Sequence, residues 1–184
     1  MTKVQTAMEI LKPMNKQQII EHLLLSFKKY YDIYKTQDEL QQVELKDYYA
    51  LAEFHSINQQ YFLVKSLHIS DADEHEYVYF ALFDELNQEQ LNSISEKTWN
   101  AGLQKINVYN GHKKSDIKLI IIADRFSEDL KKTAKKIKYR KNFKHGLYGW
   151  SDFHLLAFDV ENQSFACNRY GKDLTKLLKF TIQK

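Results

Sequence analysis

The run Ile117–Ala123, IKLIIIA, is the most apolar stretch of this chain and restricts its fold more than any other segment. It has the length of a strand, and its hydrophobicity is continuous instead of alternating. That pattern belongs to a strand buried on both faces, with helices packed above and below the sheet. A central strand of this kind needs neighbours on either side, and the flanking sequence supplies candidates.

Upstream, Ile19, Ile20, Leu23, Leu24, Phe27, Tyr30, Tyr31 and Tyr34 recur at three- and four-residue steps, which predicts a helix over 16–35. Asn15 suits its N-cap, Gln18 stands at N3, and Met14 can staple onto Ile19. Residues 1–14, stopped by Pro13, are expected to be loosely ordered. Residues 48–83 read as three strands, YALAEFHSI, QQYFLVKSLHI (59–69) and EYVYFALF (76–83), broken by Asn58-Gln59 and by the acidic stretch 70–76. Short polar breaks imply an antiparallel meander. A second helix, 88–106, starts at Asn87 with Gln90 in the N3 place and shows Leu91, Ile94, Trp99, Leu103 and Ile106 as its apolar face.

Beyond the central run, Ser127 opens a short basic helix over 128–138, with Leu130, Ala134 and Ile137 inward. The loop KNFKHGLYGW follows, where Gly146 and Gly149 are expected at positive φ or at a close approach of two chains. Strands at 152–160 and 165–169 and a helix at 173–180 complete the order α-β-β-β-α-β-α-β-β-α. Helices between strands three and four, and between four and five, are long enough for crossovers, so those strands are expected to be parallel neighbours or near-neighbours. The fold class is α+β: a single mixed sheet of about six strands with helices packed on it, one domain over 1–184.

Composition excludes several classes. A single cysteine, Cys167, rules out a disulfide framework and a Cys-based zinc site, and a lone thiol suits a reducing compartment. No apolar run nears the roughly 18–20 residues of a membrane span, and the first residues lack the apolar core of a signal peptide. A cytoplasmic location and no membrane partner are expected. The net charge of +3 hides a dipole: residues 1–92 carry 8 Lys/Arg against 15 Asp/Glu, and residues 93–184 carry 19 against 9. Eight of the fifteen residues 131–145 (KKTAKKIKYRKNFKH) are Lys or Arg. Asymmetry of this size speaks to partners.

Motif chemistry is thin. A calcium loop starting at Asp71 would need Gly and Glu where Glu76 and Leu82 stand, so 70–76 reads as a solvated turn. The seven histidines form no H-E-x-x-H and have no cysteine partner, so no metal site is expected. Gly149-Trp150-Ser151 starts like a nucleophile elbow, but Phe153 replaces its second glycine. Neither G-x-G-x-x-G nor a P-loop occurs, so no cofactor and no catalytic residue is assigned.

The order α-β-β-β-α-β resembles the core of restriction-endonuclease-like nucleases, whose acidic-x-Lys signature on the third strand holds Mg²⁺. Here that strand has no Lys, and the acidic-x-Lys pairs Glu44/Lys46, Asp116/Lys118 and Asp129/Lys131 are as many as chance supplies. The resemblance therefore concerns element order. A more specific pattern covers 136–172: Lys136, Lys138, Lys141 and Phe143, then Gly146, Gly149, Trp150 and Asp152, then Asn168, Gly171 and Lys172. This K-x-K-Y-x-K-x-F, G-W-x-D and N-x-x-G-K series resembles a family of small bacterial proteins of unknown function, and the resemblance implies no activity.

The residues thus point to a non-catalytic binding protein that uses a basic patch, 131–145, for a polyanion such as nucleic acid or for an acidic protein. Lys136, Lys138, Arg140, Lys141 and Lys144 would supply charge, joined by Arg169 and Lys172; Trp150 would pack or stack, and Asp152 would orient a basic side chain. The alternatives are a divergent hydrolase or nuclease, which would show carboxylates converging at strand ends, and a structural homo-oligomer joining acidic and basic halves.

Overall fold

The computed structural model describes residues 14–35, 46–56 and 73–182. Four helices, α1 (Lys16–Phe27), α2 (Gln88–Lys105), α3 (Glu128–Lys136) and α4 (Lys172–Ile182), pack on one mixed sheet. The strands are β1 (Asp32–Lys35), β2 (Ala50–Ser56), β3 (Asp73–Leu86), β4 (His112–Phe126), β5 (Arg140–Asn142), β6 (Trp150–Asp159) and β7 (Ser164–Cys167). The expected α+β order is present, with the three-residue β5 added inside the segment read as a loop. The strand expected at 59–69, residues 70–72 and residues 1–13 lie outside the described residues.

Strand order is β1-β2-β3-β4-β6-β5, with β7 also pairing β6. β3, β4 and β6 run parallel, as the two helical crossovers require, and the remaining pairings are antiparallel. β4 lies at the centre. Ile117, Leu119, Ile121 and Ala123 face α2 and α3, while Ile120 and Ile122 face α1 and α4, and all six are buried. Continuous hydrophobicity thus has its physical reason in a strand with a core on each side.

Asn15 and Gln18 form a capping box on α1, and Asn87 and Gln90 form the same box on α2. Each is worth about 1 kcal/mol. Ser127 stands at the N-cap of α3 but makes no side-chain capping bond.

The first helix is shorter than its sequence pattern. It ends at Phe27, and the residues expected to continue it turn into β1. Tyr31 and Ile33 pack on the α1/α4 side and Tyr34 on the opposite side, which is period two and not 3.6. Aromatic residues favour this half-buried, pleated setting. Residues 73–76 also depart from expectation. They open β3 instead of forming a solvated turn, and Lys118 on the neighbouring strand pairs with Glu76.

β6 leaves an edge gap between β5 and β7, and the side chain of Asn168 fills it. Its Oδ1 accepts from Leu155 N (3.1 Å) and Gly171 N (2.8 Å), and its Nδ2 donates to Ile137 O (3.2 Å) and Phe153 O (2.8 Å). The residue is 1% exposed and uses all four hydrogen bonds its amide offers. It draws the end of α3, the middle of β6 and the turn into α4 together.

Two glycines of the G-W-x-D and N-x-x-G-K series are fixed by crowding. A Cβ on Gly149, whose φ is +74°, would lie 1.9 Å from Lys113 O, and one on Gly171 would lie 2.0 Å from Leu155 O. Gly146 also has positive φ, +91°, but open space around it, so only its backbone conformation asks for glycine.

Candidate functional site

The basic segment divides between three elements. Lys131 and Lys132 lie on α3 and pair with Glu128 (2.8 Å) and Asp129 (3.2 Å) one turn earlier. Arg140 on β5 stands opposite Asp152 on β6, and its Nη1 reaches both carboxylate oxygens, at 3.3 and 3.4 Å. Lys135, Lys136, Lys138, Lys141 and Lys144 are exposed, and none has a carboxylate among its ion pairs with the described residues. Arg169 and Lys172 are exposed in the same way. Asn168 holds the Ile137 carbonyl and the Gly171 amide, so Arg169 and Lys172 begin beside Lys136 and Lys138. Of the nine residues read from the sequence, Lys138, Arg140, Lys141, Lys144, Trp150 and Asp152 lie on or next to the β5–β6 pair, Lys136 ends α3 just before it, and Asn168 brings the segment with Arg169 and Lys172 towards the end of α3.

The aromatic residues of the segment are mostly occupied. Tyr139 stacks on Trp99 at 5.7 Å and meets Phe153 at 5.2 Å; Phe143 is buried. Trp150 carries the Arg140 guanidinium at 5.5 Å, and Tyr148 carries Lys144 Nζ at 4.4 Å. A base stacking on Trp150 gains about 1–3 kcal/mol. Displacing Arg140 forfeits about 0.5–1 kcal/mol of cation–π contact. It also strips the buried Asp152 of its counter-charge, a loss of several kcal/mol in a buried pair and somewhat less for the half-exposed Arg140. Arg140 is thus held between Asp152 and Trp150.

A second charged region lies next to this edge, and apart from Arg140 and Asp152 its residues are absent from the binding candidates read from the sequence. Glu76 on β3, Asp116 on β4, Asp152 on β6 and Arg140 on β5 are register partners in one row across the sheet. Two residues further along their strands, Lys118 pairs in register with His154. All face the α1/α4 side, at the end of the sheet away from Phe80, Ile120 and Leu156. Lys118 Nζ lies 2.5 Å from Glu76, which also accepts a hydrogen bond from the Tyr31 hydroxyl. Lys114 Nζ donates to Asp116 Oδ2 at 2.7 Å. His154 Nδ1 donates to the Tyr170 carbonyl at 2.9 Å, which leaves Nε2 3.3 Å from Asp116 Oδ1. With Nδ1 so committed, that contact is an ion pair only in the imidazolium form.

Burial opposes the charge on Asp116, yet His154 and Lys114 together hold its carboxyl below the usual carboxylate range. Burial likewise opposes the Lys114 charge, and Asp116 more than offsets it, so that ammonium titrates above the ordinary lysine value. For Tyr31, burial and then Glu76 push the phenol far up. A depressed carboxyl stabilises the fold above its unfolded-state value, near 3.8, and that contribution disappears as pH falls through the folded-state value. Asp116→Asn is therefore expected to lose about 2–4 kcal/mol at neutral pH, with wild-type and variant stabilities converging below about pH 4. Urea unfolding followed across pH 2–7 measures it, and a constant gap down to the acid end would deny the ion pair.

Among the described residues no group of three or more His, Cys, Asp or Glu side chains is placed to hold a metal ion. Each carboxylate of the row is engaged by a cation. The signal for this region was available as alternating polarity inside strands, K-x-D-x-K at 114–118, E-x-E at 74–76 and D-x-H at 152–154. The Asp116/Lys118 pair is one of the three acidic-x-Lys matches, and it lies on β4 and not on the third strand.

A family model described as a domain of unknown function, DUF8052, matches residues 15–180. Neither a curated protein nor a solved structure matches the chain. No helix among the described residues is long and apolar enough to cross a membrane.

Proposed function

The chain belongs to the DUF8052 family, and we propose that it is a non-catalytic binding protein whose β5 edge takes a polyanion. The observation that carries this reading is the set of exposed lysines without an ion pair among the described residues, Lys135, Lys136, Lys138, Lys141 and Lys144, joined by Arg169 and Lys172. Charged side chains on an edge strand also deter sheet-to-sheet pairing, which would account for Lys141 on β5. Lys136, Lys138 and Lys144 lie outside that strand, so edge protection leaves them unexplained.

Replacing Lys138, Lys141 and Lys144 together by Ala tests the reading. Arg140 is left intact because removing it would expose Asp152 as an unpaired buried charge. If each lysine meets one phosphate, the log–log slope of affinity for duplex DNA against salt is expected to flatten by about three units. The melting temperature is expected to stay near wild type. An unchanged slope, or no binding at about 50 mM salt by the wild-type protein, contradicts the proposal.

The row Glu76, Asp116 and Asp152 favours a second reading, a hydrolase acting on phosphate esters. It requires these carboxylates to exchange their lysine and arginine partners for a cation. Metal-dependent cleavage of a generic phosphodiester, abolished in Asp116→Asn and Lys118→Ala, would support it over the binding reading.

A further inference from the structure

We propose that the polyanion is a double-stranded nucleic acid, held through its phosphates with the bases unread; this rests on the binding reading of the β5 edge. Proteins that hold single strands combine a charged groove with aromatic faces on which bases stack. The β5 edge offers few such faces. Tyr139 is stacked on Trp99 and Phe143 is buried. Arg140 covers Trp150 and is itself fixed by the buried Asp152, so opening that face breaks two interactions at once. Tyr148 remains, beneath Lys144.

The cations are also arranged along an edge. Lys135 and Lys136 end α3, Lys138 precedes β5 and Lys141 lies on it, Lys144 stands in the turn, and Arg169 and Lys172 lead into α4. Lys141 lies opposite Ser151, on the face of the strand away from the Arg140–Asp152 ion pair. A cavity of about 450 Å³ exists, but Glu21, Leu24, Tyr31, Asp32, Ile33 and Lys35 line it beside β1, at the other edge of the sheet. Charge set along an edge suits a cylinder that carries phosphate on its outside. Duplex DNA presents about one charge per 1.7 Å of axis, twice the density of one strand. Long lysine side chains are point charges without the planar fork that reads guanine, so they position without specifying sequence.

Fluorescence anisotropy with a labelled duplex of about 20 base pairs, one of its strands alone, and a polyglutamate peptide separates the possibilities at about 100 mM salt. The duplex is expected to bind at least about fivefold tighter than the single strand, with two unrelated sequences within about twofold of each other and tryptophan emission unquenched. Tighter binding of the single strand with quenching of Trp150 would overturn the duplex assignment while leaving the polyanion reading intact. Binding of polyglutamate alone would do the same and identify an acidic protein as the partner. No binding of any of the three would remove the polyanion reading itself. Leu147, 84% exposed at the turn, supplies a further check. Leu147→Ala is expected to leave duplex affinity unchanged, and a tenfold loss would mean that the tip wedges between base pairs and that phosphates are not the main contact.

Discussion

Ile121→Asp is expected to abolish cooperative folding. Ile121 is fully buried on β4, between Ala81 of β3 and Ala157 of β6 in the same row, and belongs to the core beneath α2 and α3. The side chains around it in that cluster are apolar, among them Leu119, Leu91 and Phe153. An unpaired buried charge costs several kcal/mol at the least, against a total stability of about 5–15 kcal/mol for a domain. Ile121→Val, which removes one methylene, is expected to cost only about 0.5–1.5 kcal/mol and to keep a sharp transition. Far-ultraviolet circular dichroism on heating distinguishes them. A soluble Ile121→Asp protein melting cooperatively near the wild-type temperature would overturn the central placement of β4.

Asn168→Ala is expected to have the next largest effect, about 3–5 kcal/mol. The substitution orphans the Leu155 and Gly171 amides and two buried carbonyls, and each buried unsatisfied group costs about 1–3 kcal/mol, less where water enters the gap. Asn168→Asp does not rescue it, because a carboxylate accepts the two amide bonds but repels the carbonyls of Ile137 and Phe153. Urea unfolding gives the magnitude. Hydrogen exchange gives the cause: protection of Leu155 and Gly171 amides is expected to fall first. Unaltered exchange at both positions would mean that the edge of β6 is closed by something else. Because Asn168 also ties the basic segment to the start of α4, its loss is expected to weaken polyanion binding without removing a single charge.

Much of the fold was legible in the sequence for a plain reason. IKLIIIA could only be a doubly covered strand, and Asn87 with Gln90 marked where α2 begins. The end of α1 was not legible. Tyr30, Tyr31 and Tyr34 continue the helical spacing of Ile19 to Phe27, and only packing shows that Tyr31 and Tyr34 face opposite cores. Local periodicity could not decide between a fourth helical turn and a strand entering the sheet.

The candidate site shows the same division. Eight cations in fifteen residues are visible without a structure. That Asp152 neutralises Arg140 depends on the antiparallel register of β5 and β6, which no spacing within either segment reveals. The row of Glu76, Asp116 and Asp152 needed more still: three strands distant in sequence, parallel, adjacent and in phase. Each strand carries its alternating charges openly, but their convergence exists only in the assembled sheet.

The location of the binding surface is tested most directly by backbone amide chemical shifts as a duplex of about 20 base pairs is added at low salt. Perturbations are predicted at Lys135–Lys144 and at Arg169–Lys172, with Glu76, Asp116 and Lys118 unmoved. Shifts centred on Asp116 and Lys118 would place the ligand on the charged sheet face instead, and would contradict the assignment of function to the β5 edge.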